Sequence, residues 1–128
     1  MHTLIIKAHP RKDGFSHEIA RRYKEQQRLR GNTSEILDLM ESDNFQDYAT
    51  FSSPTQIRED STTKKMQEKI KNADEIVWIF PVWWMDRPAV MKNFWDRNFT
   101  PGFAYTKNTE GKTVRLLKGK TAKVFATA

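Results

Sequence analysis

The sequence predicts a three-layer α/β fold that is built on a parallel sheet. Short apolar runs alternate along the chain with longer amphipathic segments, which is typical of successive βαβ units. The apolar runs predict strands at residues 3–8, 34–39, 75–80 and 121–126, and the amphipathic segments predict helices at residues 15–30, 61–71 and 87–99. A chain of 128 residues is long enough for a single domain with a moderate core.

The first strand leads into a short loop that carries His9, Pro10 and Gly14. Gly14 permits a positive φ angle, and the side chain of Ser16 or Asp13 is expected to cap the helix that follows. A strand, a tight loop and a helix start together form an anion site, because unpaired N–H groups and the helix dipole point at one place.

Lys7 departs from the pattern of the first strand, because a central parallel strand is usually apolar throughout. We expect its amine to reach solvent at the end of the strand. In the first helix, the four-residue spacing of Phe15, Ile19 and Tyr23 predicts the buried face. Gly31 marks the expected end of this helix.

The middle of the chain is more polar. The second strand has the mixed composition of an edge strand, and residues 40–60 form a long polar loop. The side chains that we expect to anchor this part of the chain to the core are Phe45, Tyr48 and Phe51 in the loop and Met66 and Ile70 in the second helix.

The turn after the third strand concentrates bulky side chains. The strand is apolar on both faces, as a central strand is, and Pro81, Val82, Trp83, Trp84 and Met85 follow it directly. A single Trp is most often a core residue. Adjacent residues of an extended segment face opposite ways, so Trp83 and Trp84 cannot both enter one core, and at least one should face a pocket or a partner. Flat apolar side chains at the carboxyl end of a strand suit a flat aromatic ligand.

The C-terminal third of the chain holds the remaining elements. Pro88 falls in the first turn of the third helix, where proline is tolerated. The apolar residues of this helix repeat at helical spacing, so we interpret them as packing residues. Residues 100–117 are expected to be a loop or a hairpin that precedes the fourth strand.

Composition narrows the function. The formal net charge is +6, with basic residues spread rather than clustered, which favours a solvated surface over a nucleic-acid module that stacks bases on exposed Trp. Cysteine is absent, and His2, His9 and His17 lack the spacing of a metal site. No apolar run approaches the roughly 20 residues of a membrane span, and the N-terminus has no signal-peptide pattern. A cytoplasmic protein is therefore expected.

These motifs resemble those of the flavodoxin-like NAD(P)H:quinone oxidoreductases, the DT-diaphorase-like or modulator of drug activity-like family. His9-Pro10 followed by Phe15-Ser16 is similar to the family's flavin-phosphate loop, with Gly14 where the family usually has Ser or Thr. The other matching elements are Pro81, Trp83-Trp84, Pro88-Ala89, Lys92, Phe94-Trp95-Asp96-Arg97 and Gly102-Phe103-Ala104-Tyr105.

The resemblance implies a flavodoxin-like sheet of order 2-1-3-4, with FMN or FAD bound across the carboxyl ends of strands 1 and 3. Tyr105 is implied to line the substrate side, and a homodimer is the expected assembly. The residues implied to bind the flavin are His9, Gly14, Phe15 and Ser16 at its phosphates and Pro81, Val82, Trp83 and Trp84 at its isoalloxazine ring.

The implied activity is two-electron hydride transfer from NAD(P)H through the flavin to a quinone. The alternative is a non-catalytic flavin-binding or regulatory subunit, for example one ancillary to a potassium-efflux system. In the family, the fourth strand is followed by a Thr-Gly-Gly loop, by Tyr and His residues that assist hydride transfer, and by a fifth strand, whereas this sequence ends at Ala128. We therefore expect residues 1–128 to be a single flavin-binding domain, incomplete at its C-terminus, with no catalytic side chain assigned. A fragment, a shortened gene product and an incompletely represented chain all remain open.

Overall fold

The computed structural model of the protein describes residues 1–53, 56 and 59–128. The strands are β1 His2–Lys7, β2 Thr33–Asp38, β3 Glu75–Pro81, β4 Tyr105–Lys107, β5 Thr113–Arg115 and β6 Thr121–Thr127. The α-helices are α1 Phe15–Leu29, α2 Ser61–Asn72 and α3 Ala89–Asn98, and a 3-10 helix spans Ser42–Asn44. The strands of the sheet and the α-helices match those expected from the sequence, with small shifts at their ends; α3 begins at Ala89, so Pro88 is its N-cap rather than part of its first turn.

The parallel strands form one sheet in the order β2-β1-β3-β6. Its register pairs Lys7 at the end of β1 with Asp38 of β2 and with Ile79 of β3. β6 is the fourth strand of the sequence prediction, so the predicted flavodoxin-like order is confirmed. β4 and β5 form a separate antiparallel hairpin within the segment where a loop or hairpin was expected.

Helices cover both faces of the sheet, which confirms the three-layer architecture. On one face, Ala20 of α1 packs against Ile5 and Val77. On the other face, α2 and α3 bury Met66, Ile70, Met91 and Phe94 against the even-numbered residues of β1 and β3. Because both faces of β1 and β3 are covered, these strands are apolar along nearly their whole length.

A polar cluster around the buried Glu75 ties the ends of three strands to α1. The Tyr23 hydroxyl donates to Glu75 Oε2 at 2.8 Å, and Lys123 Nζ of β6 donates to the Tyr23 oxygen at 3.0 Å. Thr3 Oγ1 of β1 also donates to Glu75 Oε2, at 3.2 Å. Burial is the main cause that raises the pKa of Tyr23; Glu75 adds to the rise, and Lys123 opposes it. The cluster holds β6 against the sheet through polar contacts at the end opposite the site described below.

The expectation that aromatic side chains anchor the 40–60 loop is wrong. Phe45, Tyr48 and Phe51 are 52%, 74% and 48% exposed. The loop is instead held through its backbone by polar groups of α3. Asn93 Nδ2 donates to the carbonyl of Gln46 at 2.8 Å, and Arg97 Nη1 donates to the carbonyl of Asp47 at 2.7 Å. Because these backbone carbonyl groups hold the loop in place, its aromatic side chains are not needed as anchors and lie exposed. Residues 54, 55, 57 and 58 of the loop lie outside the described residues.

In the described part of the chain, no helix is both long enough and apolar enough to span a membrane.

Candidate functional site

The loop after β1 and the turn after β3 meet at the carboxyl edge of the sheet. His9 follows β1 and Trp83 follows β3, and the centroids of their rings lie 6.5 Å apart. The parallel register of β1 and β3 produces this approach, because it brings the ends of both strands to the same level. The two motifs that the sequence singled out therefore flank one place, the position at which ligands bind in open α/β sheets.

His9 is fixed in one tautomer by its own loop. The backbone N–H of Arg11 donates to His9 Nδ1 at 3.0 Å. A neutral imidazole whose Nδ1 accepts carries its proton on Nε2. His9 can therefore donate a hydrogen bond from Nε2 to an anion bound at this loop.

The start of α1 differs from the expectation in two respects. Gly14 is the N-cap, with φ −91° and ψ −174°, so it adopts extended backbone rather than a positive φ angle. Neither Ser16 nor Asp13 caps the helix, because the N-cap makes no side-chain hydrogen bond within the described residues. A β-carbon on Gly14 would come no closer than 3.9 Å to Arg11 Cβ or His9 Cε1. Neither φ nor crowding therefore requires glycine here, so the missing side chain leaves space beside the helix start.

The first turn of α1 presents unsatisfied donors. Within the described chain, the N–H groups of Phe15, Ser16 and His17 have no acceptor, as is usual for the first turn of a helix. The Ser16 hydroxyl is less usual, since Ser16 is 1% exposed and its Oγ has no hydrogen-bond partner among the described residues. Buried hydroxyls are normally paired. This orphan hydroxyl therefore fits a site that is completed by a ligand.

Phe15 faces outward, so its predicted place in the core is wrong. Its side chain is 81% exposed, whereas Ile19 and Tyr23 pack on the sheet as expected. Phe15 and Gly14 instead line a groove of about 410 Å³ beside the helix start. Phe15 is the first residue of α1 and lies beyond the edge of the sheet, whereas the later turns of the helix cover the sheet.

A carboxylate also borders this groove. Glu18 accepts hydrogen bonds from Arg21 at 2.7 Å and from Arg22 at 2.9 Å, and these two contacts lower the pKa of Glu18 to about 2. A carboxylate in the first turn of a helix is favourable for the helix dipole but opposes a bound anion. The two guanidinium groups offset its charge and leave the N–H groups available to an anion.

Lys7 is the site residue whose position the sequence did not reveal. It is 4% exposed rather than solvated, and its Nζ lies 3.3 Å from Asp38 Oδ2 and 3.1 Å from Nδ1 of His17. The signal was present in the sequence, because a lysine in a central strand must find partners if its amine is buried. Those partners, on β2 and α1, could not be identified from spacing.

The turn after β3 displays its side chains to solvent. Trp83 is 46% exposed, Trp84 97% and Met85 95%, so neither Trp lies in the core, although a single Trp most often does. Trp83 and Asp86 exchange backbone hydrogen bonds of 2.8 and 3.0 Å across the turn. Trp84 and Met85 lie between them with φ angles of 51° and 62°, the conformation of a type I′ turn. Positive φ at two bulky residues is strained, and such strain concentrates at functional sites.

Some backbone N–H groups of this turn are already hydrogen-bonded within the described chain, and others are not. Val82 N–H donates to the carbonyl of Thr127 at 2.7 Å, and Trp83 N–H is engaged across the turn. Pro81 is buried and has no N–H. The amides of Trp84 and Met85 have no acceptor within the part of the chain that the structure describes. Of the predicted ring-binding residues, only Trp84 therefore offers a free amide, and Met85, which was not among them, offers another.

Tyr105 lies elsewhere on the described surface. It borders a separate cavity of about 360 Å³ between the 40–60 loop and the end of α3. Other residues around this cavity are Phe51, Trp95, Phe99 and Pro101. The described lining includes no residue of the β1–α1 loop or of the β3–α3 turn. The implied role of Tyr105 on the substrate side therefore stays a prediction.

Comparison with known proteins identifies the family. The family model Flavodoxin_2, described as a flavodoxin-like fold, matches residues 1–128. The chain belongs to this family. The resemblance inferred from the two motifs is thereby confirmed, and the family's fold accounts for the sheet order described above.

Individual relatives agree with this assignment. An uncharacterized NAD(P)H oxidoreductase of Haemophilus influenzae is 34% identical over 131 residues, which cover 99% of this chain and 64% of the relative. The crystal structure of Smu.1420 from Streptococcus mutans has a TM-score of 0.83 at 28% identity, with 100% of this chain and 68% of that chain covered. The NAD(P)H:quinone oxidoreductase of Methanothermobacter marburgensis has a TM-score of 0.82 at 28% identity, with coverages of 98% and 66%. The chain thus spans about two thirds of the length of these three relatives.

Proposed function

We propose that the protein belongs to a flavin-dependent NAD(P)H:quinone oxidoreductase and that residues 1–128 are its flavin-binding domain. The observation that carries this proposal is the 6.5 Å approach of His9 to Trp83, which joins an anion-binding helix start to an exposed aromatic turn. A flavin has these two parts, an anionic phosphate end and a flat apolar ring. The names of the relatives, an NAD(P)H oxidoreductase and an NAD(P)H:quinone oxidoreductase, support the same reading.

The phosphate end of FMN or FAD fits the start of α1. A phosphate there would accept from the free N–H groups of the first helical turn, from the buried Ser16 hydroxyl and from His9 Nε2. The Ser16 hydroxyl is the most informative of these groups, because a buried and unpaired hydroxyl destabilises the ligand-free chain. A phosphate oxygen would remove that cost.

The ring end fits the turn after β3. Trp83, Trp84 and Met85 would supply an apolar surface that orients the ring and excludes water from it. The free amides of Trp84 and Met85 would stabilise negative charge that develops there. When bound, the flavin supplies the redox chemistry, taking a hydride from NAD(P)H and passing two electrons to a quinone. The chain's own residues bind, orient and shield it.

The direct test is an absorbance spectrum of the purified protein under anaerobic conditions. We expect added FMN or FAD to bind, its visible band to bleach on addition of NADH or NADPH, and the band to return on addition of a benzoquinone. The Trp84→Ala variant should bind flavin more weakly, and the matched control Trp95→Phe, which changes an aromatic side chain of the separate cavity that Tyr105 borders, should not. A flavin affinity that is unchanged in Trp84→Ala would contradict the proposed ring site.

The alternative function is a flavin-binding or regulatory subunit without turnover. Flavin that binds but does not bleach with either nicotinamide would favour that alternative over the reductase. Absence of flavin binding to residues 1–128 would contradict both functions for this part of the chain.

We also propose a homodimer as the assembly. Phe45, Tyr48 and Phe51 are held outward on a loop that α3 anchors, and exposed aromatic groups of this kind often mark protein interfaces. Sedimentation equilibrium should give twice the 15.1 kDa chain mass, and Tyr48→Ser combined with Phe51→Ser should shift the protein toward the monomer. A monomer at every concentration would contradict the assembly.

A further inference from the structure

Lys7 joins three elements beneath the start of α1. It is the last residue of β1, and its side chain lies on the same face of the sheet as Ile5, which packs against α1. Its Nζ contacts Asp38 Oδ2 at the end of β2 and His17 Nδ1 in the first turn of α1, at 3.3 and 3.1 Å. Asp38 is in turn held by the N–H of Met40, which donates to Asp38 Oδ1 at 3.0 Å. The ammonium group therefore has fixed partners on two sides.

The contact with His17 determines a tautomer. A lysine ammonium has donors only, so Nδ1 of His17 must be the acceptor and must carry no proton. The proton of the neutral ring is then on Nε2. Since His17 is half-buried and the Lys7 amine is buried, water replaces this hydrogen bond poorly.

This hydrogen bond acts on the turn that carries the anion site. His17 directly follows Ser16, and its own N–H is one of the free donors of that turn. Because Lys7 and Asp38 have opposite charges, the pair adds little net charge to the site. The effect of Lys7 is therefore geometric, through the orientation of the first helical turn.

We infer that Lys7 is a positioning residue for phosphate recognition, which acts by holding His17 and with it the N–H groups at the start of α1. The inference rests on the proposed function, because it takes the flavin phosphate as the anion that binds there. It adds that this chain uses a buried ammonium, where the rest of the strand is apolar, to preorganise the phosphate site. Preorganised donors bind an anion with less ordering cost than mobile donors.

The test separates phosphate recognition from stability by comparing two ligands. FMN carries the phosphate, and riboflavin has the same ring without it. We expect His17→Phe, which keeps a ring but removes the acceptor, to weaken FMN binding by at least about tenfold and to leave riboflavin binding unchanged. His17→Asn is the matched control, because its Oδ1 lies close to the place of Nδ1 and can accept from Lys7. It should retain FMN affinity.

A second variant removes the ammonium without leaving a buried charge. Lys7→Met combined with Asp38→Asn should reproduce the selective loss of FMN affinity seen in His17→Phe. Equal weakening of FMN and riboflavin in both variants would mean a purely structural role and would overturn the inference. Unchanged FMN affinity in either variant would also overturn it.

A ligand-free measurement keeps this inference distinct from the proposed function. Nitrogen-15 NMR of the imidazole rings should show His17 with an unprotonated Nδ1 in the wild type, and the share of rings with a proton on Nδ1 should rise in the Lys7→Met/Asp38→Asn variant. Inorganic phosphate should shift the amide signals of residues 15–17 in the wild type more than in His17→Phe. If no flavin binds, the proposed function fails, and these two results alone decide the role of Lys7. A protonated Nδ1, or equal phosphate shifts, would refute it.

Discussion

Replacing Trp84-Met85 with Asn-Gly should stabilise the fold. The two residues have φ angles of 51° and 62°, between a pair of backbone hydrogen bonds that closes the turn. This is type I′ geometry, whose preferred central pair is Asn-Gly. Residues with a bulky side chain rarely adopt it, because the Cβ atom crowds the following carbonyl oxygen.

The size of the gain follows from the backbone and from exposure. A left-handed conformation costs about 1–2 kcal/mol for a residue with a Cβ atom. Gly has no such cost, and Asn tolerates the conformation better than Trp does. The replaced side chains are 97% and 95% exposed, so little buried contact is lost. We therefore expect Trp84→Asn combined with Met85→Gly to raise the free energy of unfolding by about 1–3 kcal/mol.

Urea unfolding followed by far-ultraviolet circular dichroism measures this gain without depending on Trp fluorescence. The matched control is Trp84→Ala with Met85→Ala, which removes the same side chains but keeps both Cβ atoms in the strained conformation. Its stability should stay near that of the wild type, and both variants should lose flavin affinity. If the Asn-Gly variant is no more stable than the Ala-Ala variant, the backbone of this turn is not strained and the argument fails.

Three further predictions concern ionisable groups. Lys7→Met should lower the free energy of unfolding by about 3–5 kcal/mol, because it leaves the mostly buried Asp38 carboxylate without its charge partner, and adding Asp38→Asn should recover much of the loss. The pKa of Tyr23 is raised above its unfolded value of 10.0. Tyr23 therefore contributes its full stability below pH 10.0, and this contribution is lost as the pH rises through the folded pKa. The Tyr23→Phe variant should not show that alkaline loss. The lowered pKa of Glu18, about 2 against 4.5, means that its contribution is complete above pH 4.5 and is lost as pH falls toward 2; Glu18→Gln should remove that acid loss.

Each of these predictions has its own measurement and control. A double-mutant cycle from urea unfolding tests the Lys7–Asp38 pair, and a coupling energy near zero would contradict it. Unfolding between pH 8 and about pH 11 tests Tyr23 against the exposed Tyr48→Phe control, and parallel curves would refute the assigned cause. Because Glu18 pairs at the surface, its acid effect should shrink in high salt, and a salt-independent effect would speak against the pairing.

The sequence predicted the fold well because the deciding signals are local. β1 and β3 are apolar on both faces, and this pattern alone identifies central parallel strands. Gly31, with φ 79° just beyond the end of α1, was recognisable as a helix stop because few other residues adopt that conformation. The strand order was not a local property and came from the family resemblance.

The prediction for the 40–60 loop failed because polar groups took the anchoring role that was assigned to apolar side chains. The exposed rings of the 40–60 loop were expected inside, since sequence patterns register hydrophobicity more readily than hydrogen bonds. The actual anchors are the backbone carbonyl groups of Gln46 and Asp47. Every residue has a backbone carbonyl, so the sequence does not mark these two as anchors. Their partners, Asn93 and Arg97, lie on another helix about fifty residues away. No spacing rule within the loop could have identified them.

The departures from local preference at the carboxyl edge of the sheet point to a common cause. Lys7 places an amine inside a strand, Ser16 buries a hydroxyl that has no partner among the described residues, and Trp84 and Met85 hold left-handed backbone. Each is a locally disfavoured arrangement, and the three stand on different elements of the fold. Sequences are usually consistent with their fold at every level, and departures collect where function requires them. Their collection at one edge supports a ligand site there independently of any relative, and this is why the stabilising Asn-Gly turn should weaken the proposed flavin binding.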